Sequence, residues 1–118
     1  MPKAVLIVDD DPNILDTAKD ILEDAGFTVY AEGLGAAALE VLKTKPIAVA
    51  LFDFNLPDTT GVSLAAEAKK LRPKAKVVLM TGEENVDLTA DPGAVDLVLT
   101  KPVSPAKMIE VIRAGVDS

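Results

Sequence analysis

The sequence predicts an α/β fold in which a doubly wound, five-stranded parallel sheet is covered by helices. Two observations carry this prediction: short apolar runs recur along the 118 residues, and segments with helical spacing of apolar residues separate them. Most of these runs are continuous rather than alternating, which is typical of strands buried on both faces of a parallel sheet. The length suits one domain, and we expect residues 1–118 to form it.

Local signals predict the elements of the amino-terminal half. Ala4 to Val8 is predicted as a buried strand. Pro12 to Ala25 is predicted as a helix, with Asp11 as its N-cap and Gly26 as its stop. The elements that follow are a short strand over 28–31, an alanine-rich helix over 35–44 and a strand over 47–52.

The carboxyl-terminal half repeats this alternation. Residues 53–61 are predicted as a loop, followed by a helix over 62–71, a strand over 76–80 and a strand over 97–100. Ser104 and Pro105 form a cap and first-turn signal for a last helix. Residues 83–90 are a poor helix candidate because they carry few apolar residues.

Reactive side chains follow the carboxyl ends of four predicted strands. Right-handed crossovers make a doubly wound sheet, for which 2-1-3-4-5 is one common strand order. In that order the third strand is central, with the first and fourth strands about 4.8 Å away on either side. The residues at the strand ends are Asp9 and Asp10, Asp53, Thr81 and Lys101. Because ligands of such sheets bind beyond the carboxyl ends of the strands, we expect these side chains to form one site.

This set of side chains suits phosphoryl transfer. Asp9, Asp10 and Asp53 would repel one another unless a cation lies among them, and their oxygens favour Mg²⁺, with Mn²⁺ as a substitute. The metal and Lys101 would neutralise a phosphoryl group transferred to Asp53, and Thr81 would add a hydroxyl donor. Each residue alone has a simpler interpretation as a solvated loop acid or a strand-end residue, so the hypothesis depends on the joint pattern.

Composition excludes several classes of function. The net charge of −7 argues against direct binding of nucleic acid. The chain has no His and no Cys, so it cannot be a histidine phosphodonor and has no thiol chemistry. No apolar run reaches the roughly 18 residues of a membrane span, and no signal-peptide pattern opens the chain. We therefore expect a cytoplasmic protein without membrane association.

These motifs together resemble the receiver domain of bacterial two-component response regulators. The resemblance covers essentially the whole chain and implies a flavodoxin-like three-layer sandwich. It also implies a signalling module that is not an enzyme, apart from catalysing its own phosphorylation and dephosphorylation. The motifs that carry it are Val8-Asp9-Asp10-Asp11-Pro12, Asp53-Phe54-Asn55-Leu56-Pro57 with Gly61, Thr81-Gly82 and Lys101-Pro102.

The resemblance further implies a role for each site residue. A histidine kinase or histidine phosphotransfer protein would donate the phosphoryl group to Asp53. Asp10, Asp53 and the backbone carbonyl of Asn55 would hold Mg²⁺, and Asp9 would assist through water. Thr81 and Lys101 would contact the phosphoryl oxygens, and the Lys101–Pro102 bond would be cis. Asn55 and Glu83 lie where the family tunes dephosphorylation.

The chain departs from the family where output is generated, which leaves two alternatives open. Receivers often carry Tyr or Phe three residues before the lysine and Phe after the Lys-Pro pair, where this chain has Val98 and Val103. One alternative is a degenerate receiver that binds partners without phosphorylation. The other is an aspartate-dependent phosphatase of the haloacid dehalogenase type, with Asp9 and Asp11 as its acid pair, although Pro12, which crowds that loop, argues against it.

Overall fold

The computed structural model describes residues 4–82 and 94–117, which contain five strands and four helices. The strands are β1 (Ala4–Val8), β2 (Thr28–Glu32), β3 (Ile47–Asp53), β4 (Lys76–Thr81) and β5 (Leu97–Thr100). The helices are α1 (Pro12–Asp24), α2 (Gly35–Thr44), α3 (Gly61–Leu71) and α4 (Pro105–Asp117). The weak helix candidate at 83–90 and Glu83 lie outside the described residues.

The five strands form one parallel sheet in the order β2-β1-β3-β4-β5, as the sequence predicts. The third strand is central, and its Phe52 lies beside Val8 of β1 and Leu79 of β4. The carboxyl ends of β1, β3 and β4 therefore meet at the same edge of the sheet.

Helices cover both faces of the sheet, so β1, β3 and β4 are buried on both sides, whereas the edge strands β2 and β5 are partly exposed. One core cluster joins alternate strand residues such as Leu6 and Phe52 to Leu42 of α2 and Leu64 of α3. The other joins the intervening strand residues to α1 and α4, including Ile7, Leu51, Leu22 and Ile112. This arrangement is the predicted three-layer sandwich. No helix among the described residues has both the length and the apolar character needed to cross a bilayer.

Side-chain caps begin three of the four described helices where the sequence indicates or allows them. The carboxylate of Asp11 accepts from the Asn13 N–H at 2.9 Å, and the Ser104 hydroxyl accepts from the Lys107 N–H at 3.1 Å. Thr60 caps α3 in the same way through Ser63. Gly26 follows α1 with a positive φ of 100°, which stops the helix as predicted.

Three strands end one residue later than predicted, and one of them is β2, which ends at Glu32. Asp53 is the last residue of β3 rather than the first residue of a loop, because it stays in register with Met80. The Phe54 N–H then donates to the Met80 carbonyl at 2.8 Å. Thr81 similarly ends β4, in register with Thr100. A polar side chain ends an apolar run in the sequence, but it does not interrupt backbone pairing.

Candidate functional site

The carboxyl edge of the sheet brings the predicted acids together. Asp9 directly follows β1, Asp10 comes next, and Asp53 ends β3. One carboxylate oxygen from each lies within 4.8 Å of the others. Three hard oxygen donors at this spacing fit a small divalent cation such as Mg²⁺. Asp11 is not part of this group, because its carboxylate caps α1, so it does not form with Asp9 the acid pair that the phosphatase alternative requires.

Asp9 and Asp10 differ in their surroundings. Asp9 is only 1% exposed, with one oxygen accepting from the Asp11 N–H at 3.0 Å and the other from the Lys101 ammonium at 2.9 Å. Asp10 is exposed. Asp10 is therefore the more open to direct coordination, whereas each oxygen of Asp9 already has a donor from the chain.

Lys101 lies between two of the acids. Its ammonium is 2.9 Å from Asp9 and 3.1 Å from Asp53, so it contacts the carboxylates directly. The sequence predicts that Lys101 contacts phosphoryl oxygens. Its direct contacts with both Asp9 and Asp53 are an additional feature of the structure. It places a positive charge where like charges would otherwise repel.

The pKa values of this pair reflect the crowding of charge. Burial raises the pKa of Asp53, and the nearby carboxylates of Asp9 and Asp10 raise it too, although the bond to Lys101 opposes them. Burial alone would lower the pKa of Lys101, but its bonds to Asp9 and Asp53 outweigh this effect and raise it. The ammonium is therefore held in its charged form beside the carboxylate.

Backbone contacts fix the positions of Thr81 and Lys101. Thr81 is 2% exposed at the end of β4, and its carbonyl accepts from the Lys101 N–H at 2.7 Å. The Lys101–Pro102 peptide bond is cis, as the resemblance implies. Both residues thus lie at the same edge as the acids, on the side of β4 and β5.

The segment after Asp53 returns tightly to the sheet. The Gly61 N–H donates to the Phe54 carbonyl at 2.7 Å, and Asn55 pairs with Thr60 across the turn. A Cβ at position 61 would lie 2.5 Å from the Asp53 carbonyl oxygen and 2.5 Å from Leu79 Cδ1, so only glycine fits here. Residues 54–60, which lie between Asp53 and Gly61, form the 54–60 loop. This loop carries Asn55, whose backbone carbonyl is a predicted metal ligand.

One contact of this loop is not predicted from the sequence. Both carboxylate oxygens of Asp58 accept hydrogen bonds from the start of α2, from the Gly35 N–H at 2.9 Å and the Ala36 N–H at 3.0 Å. The sequence holds a signal for it, because Leu34 precedes α2 where a capping side chain would be expected. That signal shows that a cap is missing without indicating which distant residue supplies one.

Comparison with known proteins gives a consistent family. The model of the response regulator receiver domain matches residues 5–113. The response regulator receiver protein CpdR of Brucella abortus is 33% identical over 113 residues, which are 94% of each chain. The cell cycle transcriptional regulator CtrA of Caulobacter vibrioides is 28% identical over 95% of this chain but only 49% of its own length. The chain thus spans half or less of several relatives that it matches.

Solved structures agree with this grouping. A CheY-like response regulator receiver domain protein from Methanospirillum hungatei superposes with a TM-score of 0.92 at 36% identity, covering 99% of this chain and 95% of the other. The BeF3-activated DrrB receiver domain has a TM-score of 0.88 at 25% identity and is covered completely.

Proposed function

The chain belongs to the response regulator receiver domain family of two-component signalling, and from that premise we propose that Asp53 is its phosphoacceptor. The donor is the phosphohistidine of a histidine kinase or of a histidine phosphotransfer protein. Transfer depends on Mg²⁺, for which Mn²⁺ can substitute. Phosphorylation then changes the conformation of the domain or its binding to a partner.

The observation that carries this proposal is the position of Asp53 between two groups of opposite charge. Its carboxylate lies within 4.8 Å of Asp9 and Asp10 and 3.1 Å from the Lys101 ammonium. A carboxylate oxygen of Asp53 attacks the phosphorus as the bond to the histidine nitrogen breaks, and the electron pair leaves with the imidazole. Lys101 is already in place to neutralise a phosphoryl oxygen, and the Thr81 hydroxyl contacts a second one.

The metal ligands are part of the same proposal. Asp10, Asp53 and the Asn55 carbonyl hold the ion, and Asp9 assists through water. When bound, the metal supplies positive charge that offsets the negative oxygens of the transferring group. The acid cluster is the feature of the chain that supports this assignment.

Further expectations from the sequence belong to the same proposal. We propose that residues 1–118 act as one receiver domain in the cytoplasm, catalyse only their own phosphorylation and dephosphorylation, and do not bind nucleic acid directly. The net charge of −7 supports the last of these.

Intact-mass measurement tests the proposal. We expect incubation with Mg²⁺ and acetyl phosphate to add a single phosphoryl group to the wild type and none to Asp53→Asn. Asp16→Asn, which removes an exposed acid of α1, is the matched control and should be modified like the wild type. An unchanged mass of the wild type would contradict the proposal and favour a degenerate receiver. Repeated release of phosphate from unrelated monoesters would favour the phosphatase.

A further inference from the structure

The start of α2 is held by a residue from a different part of the chain. The helices α1, α3 and α4 are each capped by the residue just before them, Asp11, Thr60 or Ser104. Leu34 occupies the same position before α2 and has no side-chain bond to the helix. Asp58 instead bonds two backbone N–H groups of α2 from 22 and 23 residues away.

This contact fastens the tip of the 54–60 loop to a rigid element. Both carboxylate oxygens of Asp58 accept a hydrogen bond, so the contact fixes the orientation of the carboxylate as well as its position. The positive end of the helix dipole favours a carboxylate there. Thr59 packs at the same place, since a Cβ at Gly35 would lie 2.5 Å from its methyl carbon.

The side chains of Phe54 and Leu56 pack, partly buried, against the core cluster. The other backbone hydrogen bonds described for the loop lie at its base and across its turn. The Phe54 N–H is bonded to Met80, and the Gly61 N–H to Phe54. The Leu56 N–H donates to the Thr59 carbonyl at 3.1 Å, which holds the turn together but not to the rest of the molecule. The Asp58 bonds to α2 therefore join this turn to a neighbouring layer of the fold.

Asn55 lies in this turn, three residues before Asp58. Its backbone carbonyl is a proposed ligand of Mg²⁺, an ion that requires near-ideal octahedral geometry at about 2.0–2.1 Å. A carbonyl on a short turn meets this requirement only if the turn is held in one orientation. Residues that hold a metal ligand in place without touching the metal commonly affect metal affinity in this way.

We propose that Asp58 is a positioning residue for the metal site, holding the Asn55 carbonyl in place by fastening the 54–60 loop to α2. This inference rests on the proposed function, because it concerns the same metal. It makes α2 part of the support of the site, although α2 contributes no ligand to it. Loss of the tether weakens Mg²⁺ binding while the carboxylates of Asp10 and Asp53 remain in place.

Two variants separate this role from simple helix capping. Asp58→Ala removes both the tether and the cap. Leu34→Asp together with Asp58→Ala restores a cap to α2 and the same net charge, but leaves the loop untethered. Leu34 suits this exchange because it is 47% exposed and already has the extended backbone of an N-cap residue, with φ −128° and ψ 146°.

The measurement is isothermal titration of the full chain with MgCl₂, alongside urea unfolding of each variant. We expect Asp58→Ala to raise the Kd for Mg²⁺ about tenfold. This is at the low end of the effect of removing a residue that holds a metal ligand in place. The double variant should recover the urea midpoint but keep the raised Kd. Asp58→Asn, which retains one acceptor oxygen, should give an intermediate Kd and decides the matter if Asp58→Ala does not fold.

Three outcomes would overturn the inference. A Kd within about twofold of the wild type in the folded variants, or a Kd that recovers together with stability in the double variant, would reduce Asp58 to a helix cap. Wild-type protein that binds no Mg²⁺ would overturn the inference and the proposed metal together. If the wild type binds Mg²⁺ and the Asp58 variants bind it with the same affinity, the proposed function stays intact and only the role of Asp58 is overturned.

Discussion

Lys101 balances charge among three crowded carboxylates. Its ammonium pairs with Asp9 at 2.9 Å and with Asp53 at 3.1 Å, whereas Asp10 belongs to the acid cluster without being in either pair. One positive charge therefore faces three negative ones. The raised pKa of Asp53 has burial as its main cause and the charges of Asp9 and Asp10 as further causes. Ionisation of the Asp53 carboxylate therefore lowers folding stability.

We expect Asp53→Asn to stabilise the protein in metal-free buffer. Because the pKa of Asp53 is raised on folding, the folded chain binds this proton more tightly than the unfolded chain, and the ionised form destabilises the fold. Removing the charge should raise the free energy of unfolding by roughly 0.5–2 kcal/mol at neutral pH. The gain should shrink as pH falls through the raised pKa, because protonation removes the same charge.

Urea unfolding at several pH values measures this effect. Asp20→Asn, an exposed acid of α1, makes the same change in net charge outside the cluster and should shift the free energy by less than about 0.5 kcal/mol. A lower urea midpoint for Asp53→Asn than for the wild type would mean that the bond between the Asp53 carboxylate and Lys101 stabilises the fold by more than burial and repulsion destabilise it.

At the level of elements, the edge strand β5 is fastened to its neighbours just before it begins. The Asp96 N–H donates to the Val77 carbonyl at 2.8 Å. Its carboxylate accepts from the Val77 N–H at 2.8 Å and from the Lys69 ammonium at 2.7 Å. Asp96 therefore joins β5 to both β4 and α3. This matters for the site because β5 leads directly into Lys101.

We expect Asp96→Ala to lower the free energy of unfolding by about 1 kcal/mol near neutral pH, a value reduced for the exposure of this ion pair. Burial would raise the pKa of Asp96, but the bonds from Lys69 and Val77 outweigh it and lower the pKa. A lowered pKa in the folded state means that the stabilisation is complete above the ordinary carboxyl value of about 3.9. It should be lost as pH falls through the lower, folded value.

Urea midpoints of the two proteins between neutral and acid pH give the measurement. Glu67→Ala is the control, because Glu67 makes only an exposed pair with Lys70 at 3.5 Å and should have little effect. A gap between wild type and Asp96→Ala that does not narrow in acid would show that the Asp96 charge is not responsible.

For the molecule as a whole, two of the proposed metal ligands, Asp10 and Asp53, lie at the carboxyl ends of the neighbouring strands β1 and β3. Asp10 follows β1 and Asp53 ends β3, and these strands are paired with each other and almost wholly buried. Global unfolding separates these two carboxylates, so metal binding should be coupled to it.

We expect Mg²⁺ to raise the free energy of unfolding by about 1.4 kcal/mol for each tenfold increase in concentration above its Kd. Thermal or urea unfolding across a MgCl₂ series measures this, and a chelator should reverse it. Asp10→Asn should remove most of the effect, whereas Asp24→Asn at the far end of α1 should preserve it. Equal stabilisation of the Asp10 variant would place the ion elsewhere.

Local patterns were sufficient to predict the architecture. Continuous apolar runs identify strands that are covered on both faces, and Asp11, Gly26 and Ser104 mark helix ends because their bonds join neighbours in the chain. Parallel pairing then places the carboxyl ends of the strands at one edge. For this reason Asp9, Asp10 and Asp53 could be expected to cluster before any coordinate was known.

Only the tertiary structure decided which distant side chains meet within that cluster and behind it. The Lys101 ammonium lies against Asp9, which is 92 residues away, and Asp58 caps a helix that ends 14 residues before it in the chain (58 − 44). Asp53 also proves to be a strand residue, because pairing with Met80 continues past the apolar run. Such contacts depend on how whole helices and loops pack, and residue type and spacing determine only which partners are chemically possible.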